Sequence, residues 1–192
     1  SKERDTSTGF SYYGYRFYAP QWQRWLIQDP LGEEGGINVY AFVFNQPTEI
    51  IDASGFDPIS CSDMTKLIHD NNQSGLSDEI IKCIAYRESG FNPNAKPKNY
   101  GPKNTSMGLM QMKAGACKDA GCDHSKMTDP KTAIQCGSKY VGMRVKWADG
   151  NVTKGLDGYG TGEGYGKAIQ DCADCLKKKG TCDKDCLEKA KK

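Results

Sequence analysis

The stretches ESGFNPNA (Glu88–Ala95) and SMGLMQM (Ser106–Met112) decide the fold predicted for the second half of this 192-residue chain. The first stretch closes a segment with helical periodicity. Ser77 is a favourable N-cap residue before that segment, and Gly90 is a residue at which helices commonly end. The sequence therefore predicts a helix over residues 77–89, followed by a turn and then by the second stretch.

Glu88 occupies an unusual position in this predicted helix. It follows Ile81 by seven residues and Ile84 by four, so at about 100° per residue it shares their apolar face. A carboxyl group on that face loses part of its hydration, which raises its pKa. A carboxyl group that stays protonated near neutral pH can act as a general acid. The structural alternative is an ion pair between Glu88 and Arg87, or a lysine, at a frayed helix end.

The composition divides the chain into two modules. Residues 1–56 contain 12 of the 19 aromatic residues, none of the nine cysteines and a net charge of −3. Residues 57–192 contain all nine cysteines and a net charge of +5. The aromatic and β-branched stretches Phe10–Tyr18 and Ile37–Phe44 predict short strands in the first module. We therefore expect an α+β protein, with a β-rich segment over 1–56 and a mainly helical domain over 57–192 that ends in a Cys-rich helical tail over 166–192.

Composition also excludes several classes of protein. Mean hydropathy is −0.69, and the longest uncharged apolar run, Ile37–Phe44, is too short to cross a bilayer. A net charge of +2 gives no field for binding nucleic acid. The two histidines, His69 and His124, lie far apart in sequence, and no P-loop motif occurs. We expect no membrane insertion, no nucleic-acid partner, no cofactor and no metal.

The first module resembles the terminal core repeat of RHS/YD-repeat proteins, which form large β-shells around a variable carboxy-terminal toxin. The resemblance covers residues 10–56 and is carried by the Tyr-rich start, by QDPLG (28–32), by GINVY (36–40) and by DASGF (52–56). It implies an aspartyl self-protease that uses Arg16, Asp29 and Asp52 and cuts after Phe56. The usual motif has Pro and Leu where this chain has Ala53 and Phe56. Both aspartates also suit plain turn-capping roles.

The second module resembles goose-type lysozymes and lytic transglycosylases. Both opening stretches match the paired signature of this lysozyme-like family. Asp129–Pro130 matches the start of a later family helix, and GYGTGEG (158–164) matches a Tyr-Asn-x-Gly loop. The resemblance spans residues 77–165 in the family's order. It implies a helical fold and an enzyme that cleaves peptidoglycan.

The resemblance also implies roles for individual residues. Glu88 is the expected catalytic acid. The residues expected to bind the substrate are Ser89, Ser106, Met110, Gln111 and Tyr159. The methionines of the second stretch also suit plain core packing. Gly160 departs from the family pattern, which has Asn at that position, so any contact made by that amide has to come from elsewhere.

The sequence leaves the outcome of the reaction open. A lytic transglycosylase works with one Glu, because the 6-hydroxyl of the substrate closes a 1,6-anhydro ring. An inverting hydrolase needs a second carboxylate roughly 6.5–9.5 Å from the acid. The candidates for that base are Asp157 and Glu163, which flank Tyr159, whereas Asp129 suits a helix N-cap.

The cysteines indicate an oxidising environment. Cys172, Cys175, Cys182 and Cys186 form a cluster that suits either a zinc site or two nested disulfides, Cys175–Cys182 and Cys172–Cys186. We favour disulfides, because an enzyme acting on the cell wall works outside the cytoplasm. With nine cysteines in all, at least one remains free or pairs with another chain.

Together these features predict the carboxy-terminal part of an antibacterial RHS effector, delivered by an apparatus such as type VI secretion and active in the target-cell periplasm. Its expected partners are peptidoglycan glycan strands, a cognate immunity protein, the rest of the RHS shell and the secretion apparatus. The alternatives are a chitinase on the same fold and a non-catalytic wall-binding module.

Overall fold

The structure is a computed structural model that describes residues 3–12, 16–28, 38, 40–41, 59–95, 105–160 and 162–191. The chain forms two compact units, Ser1–Asp63 and Met64–Lys192. Among the described residues, none of the helices is both long enough and apolar enough to cross a membrane. The boundary predicted between residues 56 and 57 lies outside the described residues and stays a prediction.

The first unit contains a small antiparallel sheet. Its strands pair in sequence order: β1 (Glu3–Arg4), β2 (Ser11–Tyr12), β3 (Phe17–Ala19) and β4 (Arg24–Trp25). The predicted extended stretch 10–18 therefore forms two strands, with Ser11 opposite Tyr18. The second predicted stretch, 37–44, lies mostly outside the described residues.

Helices form the second unit, as the sequence predicts. In the described part of the chain these are α1 (Cys61–Asn71), which begins at the boundary of the two units, α2 (Asp78–Ser89), α3 (Ala114–Ala120), α4 (Pro130–Trp147), α5 (Val152–Tyr159), α6 (Tyr165–Lys179) and α7 (Lys184–Lys189). A 3-10 helix, His124–Lys126, precedes α4. Local signals define several of these boundaries. Asp129 caps α4 by accepting from the Thr132 N–H, and Gly90 ends α2 in a left-handed conformation.

The helices pack around one apolar core. Helix α6 lies against α2, α5 and α7, while α4 lies against α3 and α5. The fully buried side chains that fill the interior include Ile81, Ile84, Leu109, Ile134, Val141, Leu156, Ile169 and Leu176. This packing brings the carboxyl end of α2 close to the amino end of α6.

Disulfides join several of these helices. Cys83–Cys172 links α2 to α6, Cys175–Cys186 links α6 to α7, and Cys122–Cys136 links the segment after α3 to α4. Cys61 and Cys182 are also disulfide-bonded. Cys117 is the cysteine that remains a buried thiol.

The predicted pairs Cys175–Cys182 and Cys172–Cys186 are wrong. Helix α6 packs against both α2 and α7, so Cys172 meets Cys83 on α2 while Cys175 meets Cys186 on α7. The zinc alternative is wrong as well. All four cysteines of the cluster are disulfide-bonded, and zinc binding requires free thiolates.

The disulfide pattern predicts a specific labelling result. Alkylation of the unfolded but unreduced chain should modify one cysteine, Cys117, and reduction should expose all nine. Peptide mapping without reduction should recover the cross-linked pairs 83–172, 122–136 and 175–186. Reduction should also lower the melting temperature, because each native bridge contributes about 2–4 kcal/mol to the free energy of unfolding.

The reference for this experiment is the native protein, which is neither reduced nor alkylated. Recovery of a 172–186 cross-link, or alkylation of more than one cysteine before reduction, would contradict the pairing.

Candidate active site

Glu88 lies in the last turn of α2 and is half-buried. The preceding turns of the same helix bury Ile81, Ile84 and Ala85 in the core, so the apolar side of the helix leads directly to this carboxyl group. Burial raises the pKa of Glu88, while a hydrogen bond from Tyr165 and the charge of Arg87 act in the opposite direction. The carboxyl group is therefore partly desolvated, as its position on the apolar helix face predicts.

A tight turn over Met107–Met112 faces the end of α2. The N–H of Met107 donates to the Met112 carbonyl over 3.1 Å, and the N–H of Met112 donates to the Met107 carbonyl over 3.0 Å. Gly108 has a φ of +74°, and a Cβ atom there would lie 1.7 Å from the Met127 carbonyl oxygen. Glycine is therefore required at this position by both conformation and space.

Hydrogen bonds fasten this turn to the residues that follow Glu88. The Ser89 hydroxyl lies 2.9 Å from the carbonyl oxygens of both Ala85 and Leu109. The Ala95 carbonyl accepts from the Gly108 N–H over 3.3 Å and from the Gln111 amide over 2.9 Å. The two stretches that decide the predicted fold thus form one connected substructure.

A cleft of about 410 Å³ opens between this substructure and helices α3, α4 and α5. Its walls carry one carboxyl group together with polar and aromatic side chains. The lining residues are Glu88, Ser106, Gln111, Met112, Lys113, Ala116, Tyr140, Gly158, Tyr159 and Gly160. A concave site with a small number of convergent polar groups is typical of a binding site for a small molecule or a polymer segment.

Tyr159 crosses from α5 to the turn. Its hydroxyl donates to the Met110 carbonyl over 2.6 Å. Its ring centroid lies 5.9 Å from that of Tyr140 and 6.4 Å from that of Tyr165. Burial and the nearby Glu88 charge raise the pKa of Tyr159 well above its ordinary value. Tyr159 is therefore a neutral phenol at any working pH.

Tyr165, the first residue of α6, carries no sequence signal of a functional role. Its hydroxyl donates to Glu88 Oε1 over 2.7 Å. The Arg87 guanidinium lies over its ring, 4.4 Å from the centroid, and donates to the Ala190 carbonyl. Arg87 is thus engaged by α6 and α7. No sequence signal links residues 88 and 165, because only the packing of α2 on α6 brings them together.

The predicted substrate-binding residues have different surroundings. Ser106, Gln111 and Tyr159 line the cleft, and the Ser106 hydroxyl donates to Gln111 Oε1 over 2.9 Å. Ser89 joins α2 to the turn, as described above. Met110 is buried, and its sulfur would lie 2.4 Å from a Cβ atom at Gly137. Its side chain therefore packs within the core, and the assigned substrate contacts stay predictions.

The two candidate bases belong to the connection between α5 and α6. Asp157 accepts the N–H of Gly166 over 2.7 Å, so its carboxylate caps the first turn of α6. Glu163 is exposed and precedes α6 by two residues. Neither belongs to the described residues that line the cleft. A role as base stays a prediction for both.

The residues predicted for self-cleavage belong to the first unit. Arg16 is buried and its guanidinium lies 4.1 Å from the centroid of the Trp25 ring. Asp29, Asp52 and Phe56 lie outside the described residues.

The described part of the chain contains no group of three or more His, Cys, Asp and Glu side chains that could hold a metal ion. His124 is instead close to the turn, with Nε2 3.0 Å from the Met112 carbonyl oxygen.

One protein-family model matches most of the helical unit. The family described as "Transglycosylase SLT domain" matches residues 67–179. The chain is 39% identical over 83 residues to Toxin subunit YenC2 of Yersinia entomophaga, covering 43% of this chain and 8% of that protein. It is 45% identical over 51 residues to Toxin protein Tse5 of Pseudomonas aeruginosa, covering 27% of this chain and 4% of that protein. The chain therefore spans less than a tenth of the length of these two relatives.

One solved structure with a similar backbone is the 70-kDa soluble lytic transglycosylase of Escherichia coli. The similarity covers 69% of this chain and 21% of that chain, with 20% sequence identity and a TM-score of 0.43.

The half-buried carboxyl group of Glu88 predicts a pH-dependent stability difference between wild type and Glu88→Gln. Below the ordinary pKa of a glutamate both side chains are neutral, and the two proteins should melt at similar temperatures. Between that ordinary pKa and the raised pKa of folded Glu88, the unfolded chain releases the proton while the folded chain retains it, so wild type loses stability as the pH rises. At alkaline pH Glu88→Gln should therefore have the higher melting temperature, measured by calorimetry across the pH range. A difference that does not change with pH would contradict the desolvation of Glu88.

Proposed function

We propose that this chain, which belongs to the transglycosylase SLT domain family, cleaves the β-1,4 bond between N-acetylmuramic acid and N-acetylglucosamine in peptidoglycan. The observation that carries the proposal is the desolvated carboxyl group of Glu88 on the wall of an open cleft. Glycosidic cleavage requires a carboxyl group that keeps its proton near neutral pH and gives it to the departing oxygen. Glu88 is the proposed general acid.

The proposed reaction begins when Glu88 donates its proton to the glycosidic oxygen. The bond between that oxygen and the anomeric carbon of N-acetylmuramic acid then breaks. The 6-hydroxyl of the same sugar attacks the anomeric carbon and closes a 1,6-anhydro ring. Its proton passes to the Glu88 carboxylate, which restores the acid for the next cycle.

The surroundings of Glu88 favour this route over hydrolysis. Hydrolysis with inversion needs a second carboxylate that holds a water in the cleft. Glu88 supplies the one carboxyl group among the described cleft residues, because Asp157 caps α6 and Glu163 is exposed. In the transglycosylase route the substrate supplies its own nucleophile, so one acid is sufficient.

Three cleft residues are proposed to hold the sugars. Ser106 and Gln111 present a hydroxyl and an amide that are already hydrogen-bonded to each other, which fixes both polar groups before substrate arrives. The Gln111 amide also donates to the Ala95 and Gly108 carbonyls, so its orientation is fixed from the other side. Such groups suit the N-acetyl substituents of the glycan. The Tyr159 ring supplies an apolar surface for a sugar ring.

We propose that this chain is the carboxy-terminal region of a longer protein, an RHS effector. Two relatives that carry the word toxin in their names support a toxic role for the longer protein. A delivery apparatus such as type VI secretion would carry the chain to the periplasm of a target cell, where its disulfides are stable. A producing cell would need an immunity protein that blocks the enzyme, and the rest of the shell would enclose it before release.

Glu88→Gln should abolish peptidoglycan cleavage while leaving the fold intact. The amide matches the carboxyl group in size but cannot donate a proton, and general acid catalysis contributes about 10²–10⁴-fold to a rate. Digestion of purified peptidoglycan, with the released muropeptides separated and weighed, measures this loss. Products lighter by one water, with a 1,6-anhydro end, are expected.

The matched control is Glu79→Gln, which changes the first turn of the same helix and should retain wild-type activity. Products with reducing ends in place of 1,6-anhydro ends would show that the enzyme is a hydrolase and not a transglycosylase. Wild-type release of muropeptides by Glu88→Gln would overturn Glu88 as the acid. Faster cleavage of chitin oligomers than of peptidoglycan would favour the chitinase, and binding without any product would favour the wall-binding module.

The self-cleavage proposal has its own test in the longer parent protein. Two carboxyl groups that share a proton can activate water and protonate the departing amide. The parent should therefore split after Phe56, and Asp29→Asn or Asp52→Asn should leave it intact on mass spectrometry. Equal cutting in both variants and in wild type would contradict an aspartyl mechanism.

A further inference from the structure

We infer that Tyr165 is a positioning residue for Glu88, and that Gly160 is a glycine because the Tyr165 ring occupies the space beside it. The inference rests on the proposed function, since it concerns how the acid is held for catalysis. Tyr165 is not among the described residues that line the cleft, so its proposed role is exerted through Glu88.

Tyr165 is held on several sides. Its side chain is only 2% exposed, and its ring contacts both the Arg87 guanidinium and the Tyr159 ring. A buried aromatic ring in such contacts has little freedom to rotate away. The 2.7 Å hydrogen bond from its hydroxyl therefore reaches Glu88 from a fixed point.

This hydrogen bond distinguishes the two oxygens of the Glu88 carboxyl group. The Tyr165 hydroxyl donates, so Glu88 Oε1 accepts in either protonation state. Burial and the Glu88 charge raise the pKa of Tyr165, which keeps the phenol a donor throughout the working range. While the Tyr165 hydroxyl donates to Oε1, the proton of a neutral Glu88 resides on Oε2. Tyr165 thus determines which oxygen carries the catalytic proton and in which direction it points.

Gly160 makes this arrangement possible. A Cβ atom at this position would lie 2.0 Å from Cδ2 and 2.3 Å from Cγ of Tyr165. These atoms belong to a buried ring near its attachment, so they cannot move aside easily. The side chain of an Asn, which the lysozyme-like pattern has at this position, and the Tyr165 ring therefore exclude each other. A glycine at position 160 is therefore required by the position of the Tyr165 ring.

The titratable groups around Glu88 determine the direction of the expected pH effect. Arg87 on the same helix and Tyr165 on α6 lower the pKa of Glu88, and burial raises it. Lys113 before α3, Tyr140 on α4 and Tyr159 on α5 are the other ionisable side chains among the described residues that line the cleft. Removal of the Tyr165 hydroxyl leaves burial opposed by Arg87 alone, so the pKa of Glu88 should rise.

The test is Tyr165→Phe in the 192-residue chain, which removes one oxygen and keeps the ring. The rate of muropeptide release should fall by up to about 100-fold, because a misaligned acid reacts slowly. The alkaline limb of the pH–rate profile, where the acid loses its proton, should move to higher pH. A carbon-13 NMR titration of the Glu88 carboxyl group, assigned by comparison with Glu88→Gln, should show the same shift without relying on activity.

The matched control is Tyr86→Phe. Tyr86 lies on the same helix as Glu88, and its hydroxyl also donates to a carboxylate, that of Glu188 on α7. This variant should keep the wild-type rate and pH profile. Gly160→Ala is the second variant, and it should move the alkaline limb in the same direction as Tyr165→Phe, with folding checked by thermal melting.

The outcomes separate the inference from the proposed function. If Tyr165→Phe leaves the limb and the NMR titration unchanged while Glu88→Gln is inactive, the positioning role is wrong and the proposed function stands. A lower rate with an unchanged limb would show a merely structural role for Tyr165. If Glu88→Gln retains wild-type activity, Glu88 is not the general acid, and if wild type releases no muropeptides, the proposed function itself fails. An unchanged profile in a folded Gly160→Ala would remove Gly160 from the arrangement.

Discussion

The covalent link between α2 and α6 is the constraint on which the site depends. Cys83 precedes Glu88 by five residues, and Cys172 follows Tyr165 by seven, so both site residues lie within about 11 Å of the bridge along their helices. The two helices run in opposite directions past each other, and the bridge fixes their relative position. The end of one helix therefore meets the beginning of the other, and the carboxyl group and the phenol face each other.

Local sequence signals predicted the parts of this site that depend on neighbouring residues. Apolar spacing gave Glu88 its position on the buried face of α2, Gly90 marked the end of that helix, and Asp129 marked the start of α4. Residues that meet through packing could not be found in this way. Glu88 and Tyr165 are 77 residues apart in sequence, and Cys83 and Cys172 are 89 apart. The cysteine spacing at the carboxyl end suggested local pairs, but α6 joins two different helices through cysteines only three residues apart.

Burial and the hydrogen bond from Tyr165 have opposite effects on the pKa of Glu88. Burial raises the pKa of Glu88 and so favours its protonated form, because it makes the charged form costly to the folded state. The hydrogen bond from the Tyr165 hydroxyl removes part of that cost, and in the role proposed for it this bond also orients the carboxyl group. Without the hydrogen bond from Tyr165, the pKa of Glu88 would be higher and its carboxyl group would be less firmly oriented. This one hydrogen bond therefore affects both the pKa and the orientation of the carboxyl group.

Cys117 has a consequence for the other eight cysteines. Disulfide bonds rearrange when a thiolate attacks one of their sulfurs, and a protonated thiol does not react in this way. Cys117 lies five residues before Cys122 in sequence, and its carbonyl accepts the Cys122 N–H over 2.8 Å, which places a potential nucleophile near the Cys122–Cys136 bridge. Burial, and to a smaller extent the charge of Asp123, raise the pKa of the Cys117 thiol. The odd cysteine is thereby kept as an unreactive thiol in the folded chain, and the cross-links around it are protected from exchange.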